Sequence, residues 1–172
     1  MISMRGLYIG RFQPFHLGHK AVLKKILEEV NEVVVVMGSA QDSHTPQNPF
    51  TAGERLDMIY GALRDLRPRS YVIPLQDVDR NAIWVSHVVS MAPRFDLVYS
   101  NNPLTEDLFI EAGIQVRKPP MYRRDLYSGT IIRNLMLQGG DWRSLVPEEV
   151  ASVIDSIGGV ERLIHISRDD LK

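Results

Sequence analysis

The chain contains no cysteine. That excludes disulfides, thiolate nucleophiles and thiolate metal ligands, and fits a cytosolic protein. Long apolar runs are also missing. The longest aliphatic stretch, Val33 to Val36 followed by Met37, is far too short to cross a bilayer. The opening Met1-Ile2-Ser3-Met4-Arg5 lacks the basic and apolar regions of a leader peptide. Net charge is close to nil, −1 at pH 7, so no bulk field recruits nucleic acid or an anionic membrane. No basic stripe or aromatic RNA-binding pattern is present. His44, His87 and His165 have no partner at metal-ligand spacing, so no dedicated metal cage is expected.

What the chain does have is arginine, 15 of its 20 basic residues. The planar guanidinium fork suits bidentate phosphate contacts, although an arginine-rich composition is also a habit of some source organisms. At 172 residues the chain is expected to form one domain over 1–172, with a helical segment at about 141–168 packed on it.

Strand and helix patterns alternate. Arg5 to Ile9 reads as a buried strand, and Gly18 to Val30 as a helix with Ala21, Val22, Ile26, Leu27 and Val30 at helical spacing. Glu32 to Met37 is a β-branched run, the mark of a strand covered on both faces. Thr51-Ala52-Gly53-Glu54 forms a capping box opening a helix from Ala52 to about Leu66. Ser70–Pro74, Phe95–Tyr99 and Ile114–Val116 read as further strands, and Asn81–Met91 and Leu104–Ala112 as helices. Ser128 caps a helix ending near Gly139-Gly140, and Pro147 takes the first position of another. Gly158-Gly159 breaks that helix, and a last one runs to about Ile166. The fold class is therefore α/β: a Rossmann-like, doubly wound, five-stranded parallel sheet with helices on both faces and C-terminal helices appended. Ligands of such sheets sit at the carboxyl ends of the strands.

Two clusters carry chemistry. Gly10-Arg11-Phe12-Gln13-Pro14-Phe15-His16-Leu17-Gly18-His19 follows the first strand, and Ser128-Gly129-Thr130-Ile131-Ile132-Arg133 opens a late helix. Imidazoles, N–H donors and helix N-termini aimed at one point suit the phosphates of a nucleoside triphosphate. Read from the residues alone, His16 and His19 are phosphate donors or plain helix-capping histidines. Arg133 is a phosphate ligand or a solvated helix arginine. Ser39, after the second strand, is a phosphate contact or a loop serine. Arg123 and Arg124 precede Ser128, and either can reach phosphate, with one of them read as solvated. Trp84 and Asn81 read as a core tryptophan and an N-cap, and Asp77 and Asp79 as turn residues, or one of them as a contact to a ribose hydroxyl or a metal-bound water. Trp142 and the face Val150, Val153, Ile154, Ile157 read as packing residues.

His16-x-Gly18-His19 followed by Ser128-Gly129-Thr130-x-x-Arg133 resembles the nucleotidyltransferase superfamily. With Gly38-Ser39-Ala40-Gln41, Asn48-Pro49-Phe50-Thr51-Ala52-Gly53-Glu54-Arg55, Asn81-Ala82-x-Trp84-Val85 and Tyr127-Ser128-Gly129-Thr130, the chain is similar to archaeal-type nicotinamide-nucleotide adenylyltransferases from Met4 to about Ile166. It departs at Gln47, where some relatives place a basic residue.

The resemblance implies joining of nicotinamide mononucleotide (NMN) to ATP, giving NAD and pyrophosphate, with Mg²⁺ delivered by ATP. It implies His16, His19, Arg11 and Arg133 as catalytic. Gly10, Phe12, Gly18, Ser39, Tyr127, Ser128 and Thr130 join them around ATP, and Asn81, Trp84 and Asp77 around the nicotinamide nucleotide. It further implies a cytoplasmic homo-oligomer, commonly a hexamer in this group, with no nucleic-acid or membrane partner. The alternatives are the same chemistry on phosphopantetheine or flavin mononucleotide, or a nucleotide-binding sensor that does not turn over.

Overall fold

The computed structural model describes residues 3–169; the expected domain's outermost residues, 1–2 and 170–172, lie outside the described residues. Five parallel strands stand in the order β3-β2-β1-β4-β5: β1 Arg5–Gly10, β2 Glu32–Met37, β3 Ser70–Pro74, β4 Leu97–Tyr99 and β5 Val116–Arg117. Seven helices cover them: α1 Leu17–Glu29, α2 Ala52–Ala62, α3 Asn81–Met91, α4 Pro103–Glu111, α5 Gly129–Gln138, α6 Glu148–Ser156 and α7 Gly159–Asp169. The α/β class, the parallel sheet and the helices on both faces are as the alternation predicts.

Two cores sandwich the sheet. On one face α1, α2, α5, α6 and α7 bury Leu23, Ile26, Met58, Ile132, Ile154 and Leu163 against Val33, Val35 and Tyr99. On the other, α3 and α4 bury Val88 and Phe109 against Leu7, Val34, Val36 and Val98. The alternating valines of β2 thus divide between the two cores, so the strand is apolar at every step.

Several element ends differ from expectation, each for a local reason. The last strand covers Val116–Arg117 and not Ile114–Val116, because Gly113 (φ +74°) and the bond from Ile114 N–H to Phe109 O (2.9 Å) are still closing α4. The fourth starts at Leu97: Arg5 N–H donates to the Asp96 side chain (2.8 Å), which takes the place of a main-chain ladder partner there. Helix α2 ends at Ala62, four residues before Leu66. Tight turns through Arg64 and Leu66 replace it before a 3₁₀ turn at Arg67–Arg69. Pro147 is the N-cap of α6 rather than its first residue, its ψ of 148° being extended. Arg80 rather than Asn81 is the N-cap of α3.

The chain runs outward from β1 through β2 to β3, then returns to place β4 on the other side of β1. The carboxyl ends of β1 and β4 therefore diverge into a crevice, where doubly wound sheets bind ligands.

Candidate active site

A cleft of about 530 Å³ opens at this switch point. It is large enough for a nucleotide. Its walls come from the loop after β1 (Arg11, Phe12, Gln13, Pro14), the start of α1 (His16, Gly18, His19), the end of β4 (Ser100, Asn101, Asn102) and the start of α5 (Ser128, Gly129, Thr130, Arg133), with Tyr8, Tyr122, Arg124 and Tyr127. The two clusters lie 120 residues apart at Gln13 and Arg133, yet their atoms touch: the Arg133 Nη1 donates to Gln13 O at 2.7 Å.

His16 and His19 cap α1 reciprocally. His19 N–H donates to His16 Nδ1 (3.2 Å), and His16 N–H donates to His19 Nδ1 (3.1 Å). The rings stack, with centroids 3.4 Å apart and planes 17° from parallel. Each Nδ1 is an acceptor, so the neutral rings carry their proton on Nε2, a free donor on a residue lining the cleft. The capping role and the donor role, alternatives in the sequence, are thus compatible in one arrangement. Phe12 packs its ring edge-on to His19 at 4.8 Å, and Tyr127 lies parallel to His16 at 6.3 Å.

Burial holds the His16 pKa down at about 4. Burial and the neighbouring His16 keep His19 well below the ordinary histidine value. Both rings are neutral donors at pH 7 in the free protein. Folded His16 therefore binds its proton later on acidification than unfolded His16, whose pKa is about 6.5. This stability contribution is present above about pH 6.5 and is lost as pH falls towards 4. The expected result is a thermal midpoint falling over that window and Nε2–H signals from both rings in ¹⁵N NMR at pH 7. A ring titrating near 6.5 would contradict it.

Arg133 is anchored by Gln13 O and by Thr130 Oγ1, to which its Nη2 donates at 3.4 Å. Burial lowers its pKa, and the positive charge of Arg11 lowers it further. Two guanidiniums are thus held near one another, and no carboxylate appears in the cleft lining. Ser128 departs from expectation. Its backbone occupies the N-cap of α5, but its hydroxyl makes no capping bond, and the residue lines the cleft.

Two glycines permit close approaches. A Cβ on Gly18 would lie 2.7 Å from Tyr127 Cβ. One on Gly129 would lie 3.0 Å from both Arg133 Nη1 and Gln13 O. Gly10 sits under the Phe12 ring, outside the cleft lining.

Other residues singled out in the sequence are placed apart from this cleft. Ser39 follows β2, and its N–H donates to Asp77 Oδ1 at 3.3 Å. Gln41 bonds Asp77 in both directions. Asn81 begins α3, and half-buried Trp84 meets Phe109 edge-on at 5.5 Å. Ser39, Gln41 and Asp77 are thus joined at the carboxyl ends of β2 and β3, and Asn81 and Trp84 open the helix that follows β3 in the chain; these residues make up a second grouping. Arg124 lines the cleft, while exposed Arg123 pairs with Asp125 at 3.2 Å. Trp142 is buried with the C-terminal helices, as are Val150 and Ile154.

Sequence reasoning missed Ser100, Asn101, Asn102 and Tyr8. Their signal was positional: Tyr8 lies in β1 and Ser100, Asn101 and Asn102 follow β4, the two strands that flank the switch point. Asn101 Nδ2 donates to Pro119 O (3.0 Å) and so ties down the loop carrying Tyr122 and Arg124. Tyr8, pushed up to about 12 by burial, stays a protonated phenol.

Among the described residues no group of three or more His, Asp or Glu side chains is placed to hold a metal ion. The cleft's donor set fits phosphate oxygens and not a resident divalent cation.

The cytidylyltransferase-like family model matches residues 7–135, three quarters of the chain. A nicotinamide-nucleotide adenylyltransferase of Methanothrix thermoacetophila is 64% identical over 166 residues, covering 96% of this chain and 98% of the relative. The chain belongs to the nicotinamide-nucleotide adenylyltransferase family. Another member, from Halorubrum lacusprofundi, is 54% identical over 97% of this chain and 95% of its own. The fold is shared more widely. A bifunctional NMN adenylyltransferase/ADP ribose pyrophosphatase from Francisella tularensis superposes with a TM-score of 0.73 at 19% identity over 95% of this chain, which spans about half of that one. The adenylyltransferase family assignment accords with the two clusters meeting at one cleft.

Proposed function

We propose that this protein transfers the adenylyl group of ATP to NMN, forming NAD and releasing pyrophosphate. The observation that carries the reading is the cleft: three arginines, two neutral histidines and the first turns of α1 and α5, with no carboxylate, at the switch point of the sheet. Helix N-termini and guanidiniums stabilise anions, and the missing carboxylates remove what would repel a triphosphate.

An NMN phosphate oxygen attacks the α-phosphorus of ATP. One P–O bond forms, the bond to the bridging α–β oxygen breaks, and the pair of electrons leaves with pyrophosphate. The nucleophile is already an anion, so no general base is needed. The protein's task is to hold two anions in line and meet the charge that develops on the leaving group. His16 and His19 donate from Nε2 to the triphosphate. Arg11 and Arg133 oppose the charge of the leaving pyrophosphate, and Ser128, Thr130 and the α5 N-terminus hold its oxygens. A divalent ion enters on the triphosphate as part of the substrate. We take it to be Mg²⁺, and a Francisella tularensis relative of the same fold was solved with AMP and a manganese ion. The described residues act as one nucleotidyltransferase unit in this reading, and α6 and α7 share its core. We take the protein to be cytoplasmic, and a homo-oligomer fits the exposed apolar residues Met91 and Ile110 on α3 and α4.

The acceptor belongs at the second grouping, with its pyridinium against Trp84 and its amide at Asn81, near Asp77 and Ser39. The partial exposure of Trp84 supports this, since a fully core tryptophan offers no face. A desolvated tryptophan–cation contact is worth about 1–2 kcal/mol. Trp84→Ala should therefore raise the KM for NMN about tenfold and leave that for ATP within twofold. An unchanged NMN KM removes the pocket from this position and reopens phosphopantetheine and flavin mononucleotide as acceptors.

A further inference from the structure

Arg55 lies in the second turn of α2, is 0% exposed, and has no salt-bridge partner among the described residues. All of its bonds run to main-chain carbonyls. Nη1 donates to Arg11 O (2.7 Å) and Gly38 O (2.9 Å), Nη2 to Ser39 O (2.9 Å), and Nε to Thr51 O at a longer 3.4 Å. One side chain thus joins the loop after β1, the loop after β2 and the start of α2. Asp42 and Asp77 are the acids whose charge it feels, opposing the cost of its burial.

A buried cation without a direct counter-ion is costly. Tying two loops together does not require one. In this same protein the neutral amide of Gln13 bonds Phe50 through both its main-chain groups, at 2.9 and 3.0 Å. What a guanidinium adds is a rigid fork of donors that fixes several carbonyls at once. The carbonyls it holds border two strained positions. Phe12, just after Arg11, has φ +52°, and Ser39 has φ +48°. Left-handed non-glycine residues persist only where the surroundings hold them.

We infer that Arg55 is a positioning residue: its buried fork fixes the main chain of Arg11 against the loop after β2 and thereby sets where the Arg11 guanidinium meets the substrate phosphates. Arg55 itself does not line the cleft. Lysine keeps the charge at this position but cannot span both loops.

The inference rests on the proposed reaction, so calorimetric ATP affinity is read beside turnover in a double-mutant cycle of Arg55→Lys and Arg11→Ala. In the otherwise unchanged protein, Arg55→Lys is expected to lower kcat or ATP affinity tenfold or more, because small misplacements of a catalytic group are costly. In the Arg11→Ala background the same change is expected to cost less than twofold, since the side chain it positions is gone. Equal losses in both backgrounds overturn the inference and leave Arg55 a purely structural residue. If Arg55→Lys gives no folded protein by circular dichroism, Arg55→Gln carries the same cycle, and failure of both to fold overturns it likewise. Absence of NAD formation by the unsubstituted protein counts against the reaction, while the ATP-affinity cycle still decides Arg55.

Discussion

Removal of the Arg133 guanidinium as Arg133→Ala lowers kcat roughly thousandfold or more, the range found when an arginine that meets developing phosphate charge is lost. Arg133 is held by Gln13 O and Thr130 at the mouth of α5, and no carboxylate neutralises it. In the free protein it is half-buried beside another cation, Arg11. The substitution should therefore leave the thermal midpoint of the free protein unchanged or raise it, as expected where a residue is kept for activity at the expense of stability. Arg133→Lys should recover little, because a compact ammonium lacks the planar fork that bonds Gln13 O through Nη1 and Thr130 Oγ1 through Nη2 and so fixes the direction of the remaining donors. Steady-state kinetics with thermal melting reads both effects. A midpoint that collapses with kcat would make Arg133 part of the framework.

His19→Ala has the second large effect, a loss of several hundredfold in kcat, on the order of 3 kcal/mol, as for removal of one preorganised donor to a developing anion. ATP affinity should change modestly. This variant also removes the acceptor of His16 N–H and the ring stacked on His16. Loss of half a capping box is worth roughly 1 kcal/mol, about 2–4 °C for a chain of this size. Losing the small stability increment while keeping kcat within threefold would reduce the histidine pair to its capping role.

The architecture was legible because its signals are local. The Val33–Val36 run, the Thr51–Glu54 box and the glycine and proline punctuation each fix an element within a few residues. The ends that shifted, at Leu66, Phe95, Ile114 and Pro147, are set by single main-chain torsions and local main-chain bonds, which periodicity does not reveal. The candidate site was legible where it follows sequence motifs, at His16, His19 and Arg133, which all line the cleft. It was hidden where the third dimension supplies it. Ser100 and Asn101 become wall residues only once β4 is known to stand beside β1. Arg55 looks like any helix arginine until its four carbonyl partners converge from three segments. The reciprocal Nδ1 caps, which fix the histidine tautomers, depend on ring orientation that sequence does not carry.

The most direct test of the central claim follows label from ATP through a single incubation with purified protein and Mg²⁺. NMN, phosphopantetheine and flavin mononucleotide are offered separately. The account predicts that α-³²P appears in NAD, that the β- and γ-phosphates leave together as pyrophosphate in equal amount, and that this happens with NMN alone. Label in an adduct of another acceptor, or bound ATP that never turns over with any of the three, would contradict it.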